Sequence, residues 1–347
     1  MLFNYGIYME LNMVLRIFTL LIASFSIVAM ADVSINPSAE SYQKWVTYMA
    51  SDEMKGRANG SKEIDVVAHW IASQFNNAGL SYPPEMETHL QSFQAKGAIP
   101  YRNVIGYLEG SDPAKAHEYI IVSAHYDHIG TSGGLVNNGA DDNASGVAAL
   151  IGVAHQLQKS RPERSMLFIA WSGEEEGFLG SKYYITEPVL PLENAVLNIN
   201  FEMVGHTKGL GKKQFWLTGA KYSSLYKELK KISDEKDWTV SSSPFPELSL
   251  FWRSDNISLA LLDVNQETKT AYGIPAHTIS TWGREGHYHS PNDDADKIDF
   301  ENLAQFADTL SYMLIKLSSL PSVVQWHETS DISFKHYKDR PLIDNNR

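Results

Sequence analysis

Residues 119–128 read Tyr119-Ile-Ile-Val-Ser-Ala-His125-Tyr-Asp127-His128, and residues 139–154 read Gly139-Ala-Asp141-Asp142-Asn-Ala-Ser-Gly146-Val147-Ala-Ala-Leu150-Ile151-Gly-Val-Ala154. The first is a short apolar run, as in a strand buried on both faces, and it ends in polar residues. The second opens on acids and glycines, then sets Val147, Leu150, Ile151 and Ala154 on one helical stripe. A buried strand followed by a helix is the building unit of an α/β sheet. The same alternation continues outward. Ser61 can cap a helix with Ile64, Val67, Ala68, Ile71 and Phe75 on its apolar face, ending at Gly79. Asn103 to Leu108, Met166 to Trp171, Ala195 to Val204 and Ile274 to Ser280 have strand patterns. Asp299 can cap a last helix with Phe300, Leu303, Ala307, Leu310, Leu314 and Leu317 on one face. The expected fold is α/β, with helices on both faces of the sheet.

The chain has 347 residues, 29 Lys plus Arg against 41 Asp plus Glu, and no cysteine. A domain of roughly 150 residues is ordinary, but no repeat, low-complexity tract or linker divides the chain. We expect one domain over residues 32–322 and a polar tail over 323–347. Without cysteine there is no disulfide, thiolate nucleophile or thiolate metal site, so any metal must sit on His, Asp and Glu. The formal charge of −12 argues against nucleic acid or anionic membrane as a general partner. At the N-terminus, Arg16 precedes the apolar run from Ile17 to Val28. Ala29-Met30-Ala31 follows as a cleavage signal. Residues 1–31 are therefore expected to be a signal peptide. Met13 is the better start, making residues 1–12 an extension. The mature chain would begin at Asp32 and be exported to a periplasmic or extracellular space, with no stable membrane anchor.

Five segments place acids and histidines just past apolar runs, where open α/β sheets bind ligands. His125-x-Asp127 offers a ligand with an orienting carboxylate, although a lone His is more often structural. Asp141-Asp142 opens a helix; such acids are N-caps or metal ligands. Glu174-Glu175-Glu176 is a solvated run on an open loop. In a pocket it requires cations, and one glutamate can then shuttle a proton. Glu202, inside an apolar stretch, is costly unless paired or metal-bound. Of His287 and His289 only one enters a site if the backbone is extended. Asn143-Ala144-Ser145 also matches a glycosylation triplet, which is incidental in such a turn.

These segments, in this order, resemble the di-zinc aminopeptidase family, which also includes glutamate carboxypeptidases, glutaminyl cyclases and the transferrin-receptor ectodomain. The matching pieces are His125-x-Asp127, Asp142-Asn143-x-Ser145-Gly146, Glu174-Glu175-x-Gly177, the stretch ending at Glu202-Met203, and Tyr288-His289-Ser290-Pro291. Gly56-Arg57, Gly60-Ser61 and Arg253-Ser254-Asp255 support them. The resemblance spans roughly Ser38 to Ser319. It implies a three-layer α/β/α zinc-exopeptidase fold with a mostly parallel mixed sheet. It also implies two zinc ions bridged by Asp142. One would also take Glu175 and His289, and the other His125 and Glu202. Asp127 would orient His125, Glu174 would be the general base, and Tyr288 would stabilise the oxyanion. Arg253 and Asp255 would touch substrate. The implied reaction is hydrolysis of the N-terminal residue of peptides with a free N-terminus.

Glu202 stands where the family's aminopeptidases usually carry Asp, and reaches one methylene further. Glutaminyl cyclisation, carboxypeptidase or dipeptidase activity, and a non-catalytic binding ectodomain are the competing readings. His and carboxylate ligands do not decide among zinc, manganese and cobalt. Phe178, Phe245, Phe251, Trp252 and Tyr272 are candidate pocket residues, though aromatics between motifs are more often core.

Overall fold

The computed structural model describes residues 36–262, 273–322 and 324–327. The signal-peptide and cleavage motifs, Tyr272 and most of the C-terminal tail lie outside these residues. In chain order the elements begin with helix α1 (Ala39–Met49), a 3-10 turn (Asp52–Arg57), α2 (Lys62–Asn77), and strands β1 (Leu90–Phe93), β2 (Tyr101–Leu108) and β3 (Tyr119–His125). A two-strand ribbon follows, β4 (Thr131–Ser132) and β5 (Leu135–Val136), then α3 (Gly146–Ser160), β6 (Ser165–Trp171), α4 (Leu179–Thr186) and β7 (Ala195–Phe201). The chain continues through β8 (Gln214–Leu217), α5 (Leu225–Ser233), β9 (Thr239–Ser242), α6 (Asn256–Ala260), β10 (Ala276–Ser280) and α7 (Phe300–Ser319).

The main sheet has eight strands in the order β1-β2-β6-β3-β7-β10-β8-β9. Its centre, β6-β3-β7-β10, is parallel throughout. The flanking pairs β2–β6 and β10–β8 are antiparallel, so the sheet is mixed, as expected. Every residue of β3 and β6 is buried, which accounts for their unbroken apolar runs. Along β3, Ile120, Val122 and Ala124 enter one core while Tyr119 and Ile121 enter the other. That two-residue alternation divides the molecule into three layers. Helices α1, α2, α3, α5 and α7 pack on one face, and α4 and α6 on the other.

Both expected caps are present. The Ser61 side chain accepts a hydrogen bond from the Ile64 amide, and Asp299 accepts one from Asn302. Strand β7 ends at Phe201 rather than Val204, so Glu202 follows a strand instead of lying inside one. Ser322 is not the last packed residue. Val324 is buried, and the Trp326 indole donates to the Gly273 carbonyl at 2.6 Å. No helix among the described residues is long and apolar enough to cross a membrane.

Candidate metal centre

The four parallel strands end along the same edge of the sheet. From β3 the chain crosses to β6 on one side, then returns to β7 on the other. Such a reversal leaves a crevice at the strand carboxyl ends. His125 is the last residue of β3, Glu202 follows β7 directly, and Glu174 and Glu175 lie in the turn after β6. Asp142 lies in the turn that opens α3, and the loop after β10 delivers His289.

The Asp142 carboxylate faces two histidines with different oxygens. Oδ1 is 3.4 Å from His125 Nε2, and Oδ2 is 3.3 Å from His289 Nε2. His289 Nε2 is also 3.1 Å from Glu175 Oε1 and Oε2. His289 sits at φ 50°, a strained conformation for a non-glycine residue that concentrates at functional sites. Burial opposes ionisation of Asp142, yet His125, His289 and His128 together hold its carboxyl well below the usual range. Glu174 behaves in the opposite way. Burial raises it, and the charges of Glu175, Glu202 and Asp255 add to this against the pull of His125, leaving it well above the ordinary value. Burial and the Asp142 charge push Glu202 up to about 7, opposed by His125. The glutamate run is thus divided. Glu174 and Glu175 enter the site, while Glu176 turns out to Lys96 Nζ at 2.8 Å and the Tyr101 hydroxyl at 3.1 Å.

Three side chains fix these turns. Asp127 accepts from the amides of Glu174 and Glu175, both at 3.1 Å, and from Asn59 Nδ2 at 2.7 Å. Its carboxylate also faces His125 and, against the opposing effect of burial, raises that imidazole's affinity for a proton. That carboxylate is 3.7 Å from His125 Nδ1, whereas the Asp127 backbone carbonyl accepts from the same nitrogen at 3.2 Å. Asp293 accepts from the amides of Asp141 and Asp142 at 2.9 and 3.0 Å. Asn143, fully buried, donates to the Phe201 carbonyl and accepts from the Gly146 and Met203 amides. It is therefore out of reach of glycosylation. Beneath them the buried Arg57 guanidinium donates to the carbonyls of Met49, Tyr126, Asn138 and Gly139 at 2.6–2.8 Å. Burial lowers its pKa only to about 10, so it remains a cation.

Of the remaining expected site residues, Tyr288 is half-exposed and its ring stacks on His289, with centroids 3.9 Å apart. Arg253 and Tyr288 line a cavity of about 270 Å3 beside Glu202, walled by Trp216, Leu248 and Trp282. Asp255 is placed differently from expectation. It is fully buried and accepts from the Ser181 hydroxyl at 2.6 Å. That suits an acid supporting the site from below better than one touching substrate. Three of the candidate aromatics are core residues, since Phe251 lies in the second core and Phe178 and Trp252 pack against it. Phe245 stands behind the cavity, against Trp216 and Trp282.

One neighbour carried no signal of its own in the sequence. His128 is buried, with Nδ1 3.1 Å from Glu175 Oε1 and 3.8 Å from Asp142 Oδ2. Ligand atoms of His128, Asp142, Glu175 and His289 all lie within 4.8 Å of one another. Among the buried polar atoms without a hydrogen-bond partner are His125 Nε2, His128 Nε2, Asp142 Oδ2 and Glu202 Oε2. Apart from His128 Nε2, these are atoms that a cation would satisfy. Imidazole nitrogens and carboxylate oxygens are also the donors zinc takes when thiolates are absent.

Fold and site together define an α/β protein with a candidate metal centre at its strand ends. The sequence matches Peptidase family M28 over residues 103–314, and the chain belongs to that family. It is 31% identical over 162 residues to leupeptin-inactivating enzyme 1 of Streptomyces exfoliatus, covering 45% of this chain and 33% of that protein. It is 26% identical to aminopeptidase YwaD of Bacillus subtilis, covering 65% of this chain and 47% of that protein. The chain thus spans between a third and a half of these two curated relatives. The structure superposes on BSAP, a zinc aminopeptidase from Bacillus subtilis, with a TM-score of 0.61 and 16% identity, covering 81% of this chain and 95% of that one. That likeness is one of fold.

Proposed function

We propose that the chain is an aminopeptidase that works with two zinc ions, one near His125 and Glu202 and one near Glu175 and His289, with Asp142 between them. The observation that carries this reading is the two-faced Asp142 carboxylate, with His125 at one oxygen and His289 at the other, Glu175 beside His289, and a buried unpartnered oxygen on Glu202. The printed names of YwaD and BSAP support the activity and the metal. Ions bound here would supply Lewis-acid polarisation of a carbonyl and a water of near-neutral pKa.

The chain's own residues supply the proton transfers. Glu174 is free of the four-residue cluster around Glu175, and burial holds its carboxyl above the ordinary range. A raised carboxylate pKa suits a base that takes a proton from the attacking water and returns it to the leaving amine. Asp127 holds the backbone of that base in place. Tyr288, beside His289, is positioned to donate to the carbonyl oxygen as negative charge develops. The cavity of about 270 Å3 beside Glu202 is smaller than the roughly 300–1,000 Å3 of sites for drug-sized ligands. It suits one side chain, and its tryptophan and leucine walls favour a large apolar N-terminal residue.

The test is zinc-loaded protein against three peptides, with a free, an acetylated and an N-terminal Gln terminus. Release of the first residue from free N-termini only is expected. Cyclisation of the Gln peptide would replace this reading with glutaminyl cyclisation, and cleavage of the acetylated peptide would overturn it. Glu174→Gln should reduce turnover below detection with metal content unchanged; an active, metal-replete variant would remove Glu174 as the base.

A further inference from the structure

We propose that His128 is itself a metal ligand, completing a four-residue cage with Asp142, Glu175 and His289. The inference rests on the metal-dependent reading above and adds to it. The family resemblance gives that ion only the other three residues. Four ligands held at about 2.0–2.2 Å in a tetrahedron stand about 3.3–3.6 Å apart. The observed separations are 3.1 Å for His128 Nδ1 to Glu175 Oε1, 3.8 Å for His128 Nδ1 to Asp142 Oδ2, 3.3 Å for His289 Nε2 to Asp142 Oδ2, and 3.1 Å for His289 Nε2 to Glu175 Oε1. These four edges bracket the expected length, and all six lie within 4.8 Å. The two imidazoles cross at 74° with centroids 5.6 Å apart, so they present nitrogens to a common point instead of stacking.

The way the ring is seated agrees. His128 is buried, and its Nε2 has no hydrogen-bond partner. All its polar side-chain contacts therefore face the acids. The ring lies against Gly139, where a Cβ would come within 2.6 Å of its carbons, so a side chain there would displace it. The backbone is also fixed, since the His128 amide donates to the Arg57 carbonyl at 3.3 Å.

The consequence is inequality between the two ions. Four protein ligands close a tetrahedral site, whereas a site with three keeps a position open. The ion beside His128 would be held tightly, and the ion beside His125 and Glu202 would exchange readily and remain open to water and substrate.

The experiment compares zinc-loaded wild type with His128→Ala and His128→Gln, dialysed against a graded series of chelator and counted for ions per chain. The cobalt(II)-substituted proteins are compared by their visible spectra. Wild type should lose its ions in two well-separated steps. Losing a residue outside the ligand shell lowers metal affinity by about 10–100-fold, so a ligand should show a larger fall. Both variants are expected to lose more than about 100-fold at the tighter step and to change the cobalt spectrum. A smaller fall, restoration by Gln, or an unchanged spectrum would make His128 a mere hydrogen-bond donor to Glu175 and overturn the proposal. Equal melting temperatures of the three metal-free proteins separate ligand loss from misfolding. A wild type that takes up no ion would instead overturn the metalloenzyme reading itself.

Discussion

Asp127 shows how one carboxylate organises several others. Its two oxygens take the amides of Glu174 and Glu175, so the proposed base and a proposed ligand share one anchor. In Asp127→Asn, the carboxamide nitrogen would confront one of those N–H groups. Hydrogen bonds to a charged acceptor are worth about 1.5–3 kcal/mol each, and misplacing a base is severe in rate. A loss of about 10–100-fold in kcat is expected with the fold retained, measured on a free-amino peptide. His277 affects stability instead. Burial pushes its imidazole down to about 4, outweighing the hydrogen bond with the Thr218 carbonyl. Its other nitrogen accepts from the Ser223 hydroxyl at 2.7 Å. The neutral ring is preferred in the folded state, while the unfolded ring protonates near pH 6.5. Its contribution is therefore complete above about pH 6.5 and is lost as the pH falls toward about 4, amounting to about 3 kcal/mol. Urea melts at pH 7 and pH 4.5 should show His277→Gln losing less stability over that interval than wild type.

Between elements, α1 packs tightly against α3 at Gly152. A Cβ on Gly152 would lie 2.6 and 2.7 Å from ring carbons of Tyr42 and nearer still to its hydroxyl. Tyr42 is fully buried and has little room to retreat. Gly152→Ala gains about 1 kcal/mol in helix propensity but overpacks a core at a cost of about 1–3 kcal/mol. The net expectation is a loss of up to about 2 kcal/mol, read by thermal melting; a stabilised variant would show that the helices part easily. The elements legible in the sequence were those with a strong period or near-complete burial: β2, β3, β6, β7 and β10 among the strands, and α2, α3 and α7 among the helices. The four-residue strands β1, β8 and β9 and the five-residue α6 are too short to carry a period. The length of α1 was sufficient, but its stripe of Tyr42, Val46 and Met49 is interleaved with polar residues. In the site, acids after strand ends were legible because burial makes an unpaired carboxylate costly. His128 and Asp293 were not, because their roles come from how loops fold over one another. Asp255 looked accessible beside Arg253, and only packing against Ser181 shows otherwise.

For the whole molecule, the site depends on the complete sheet. Ions that bind only the folded state stabilise it by about 4 kcal/mol per site when present at a thousandfold excess over the dissociation constant. Removing them with a chelator should therefore lower the melting temperature by several degrees, and zinc should restore it. A melting curve indifferent to chelator would count against tight binding. The parallel register of β3, β7 and β10 has a further, temporal consequence. His125 and His289 are separated by about half the chain, and β10 must insert between β7 and β8 before the last histidine reaches the others. Pairings between distant segments form slowly. On the proposed ligand set, ion uptake therefore follows the pairing of β10 and comes late in the maturation of each chain.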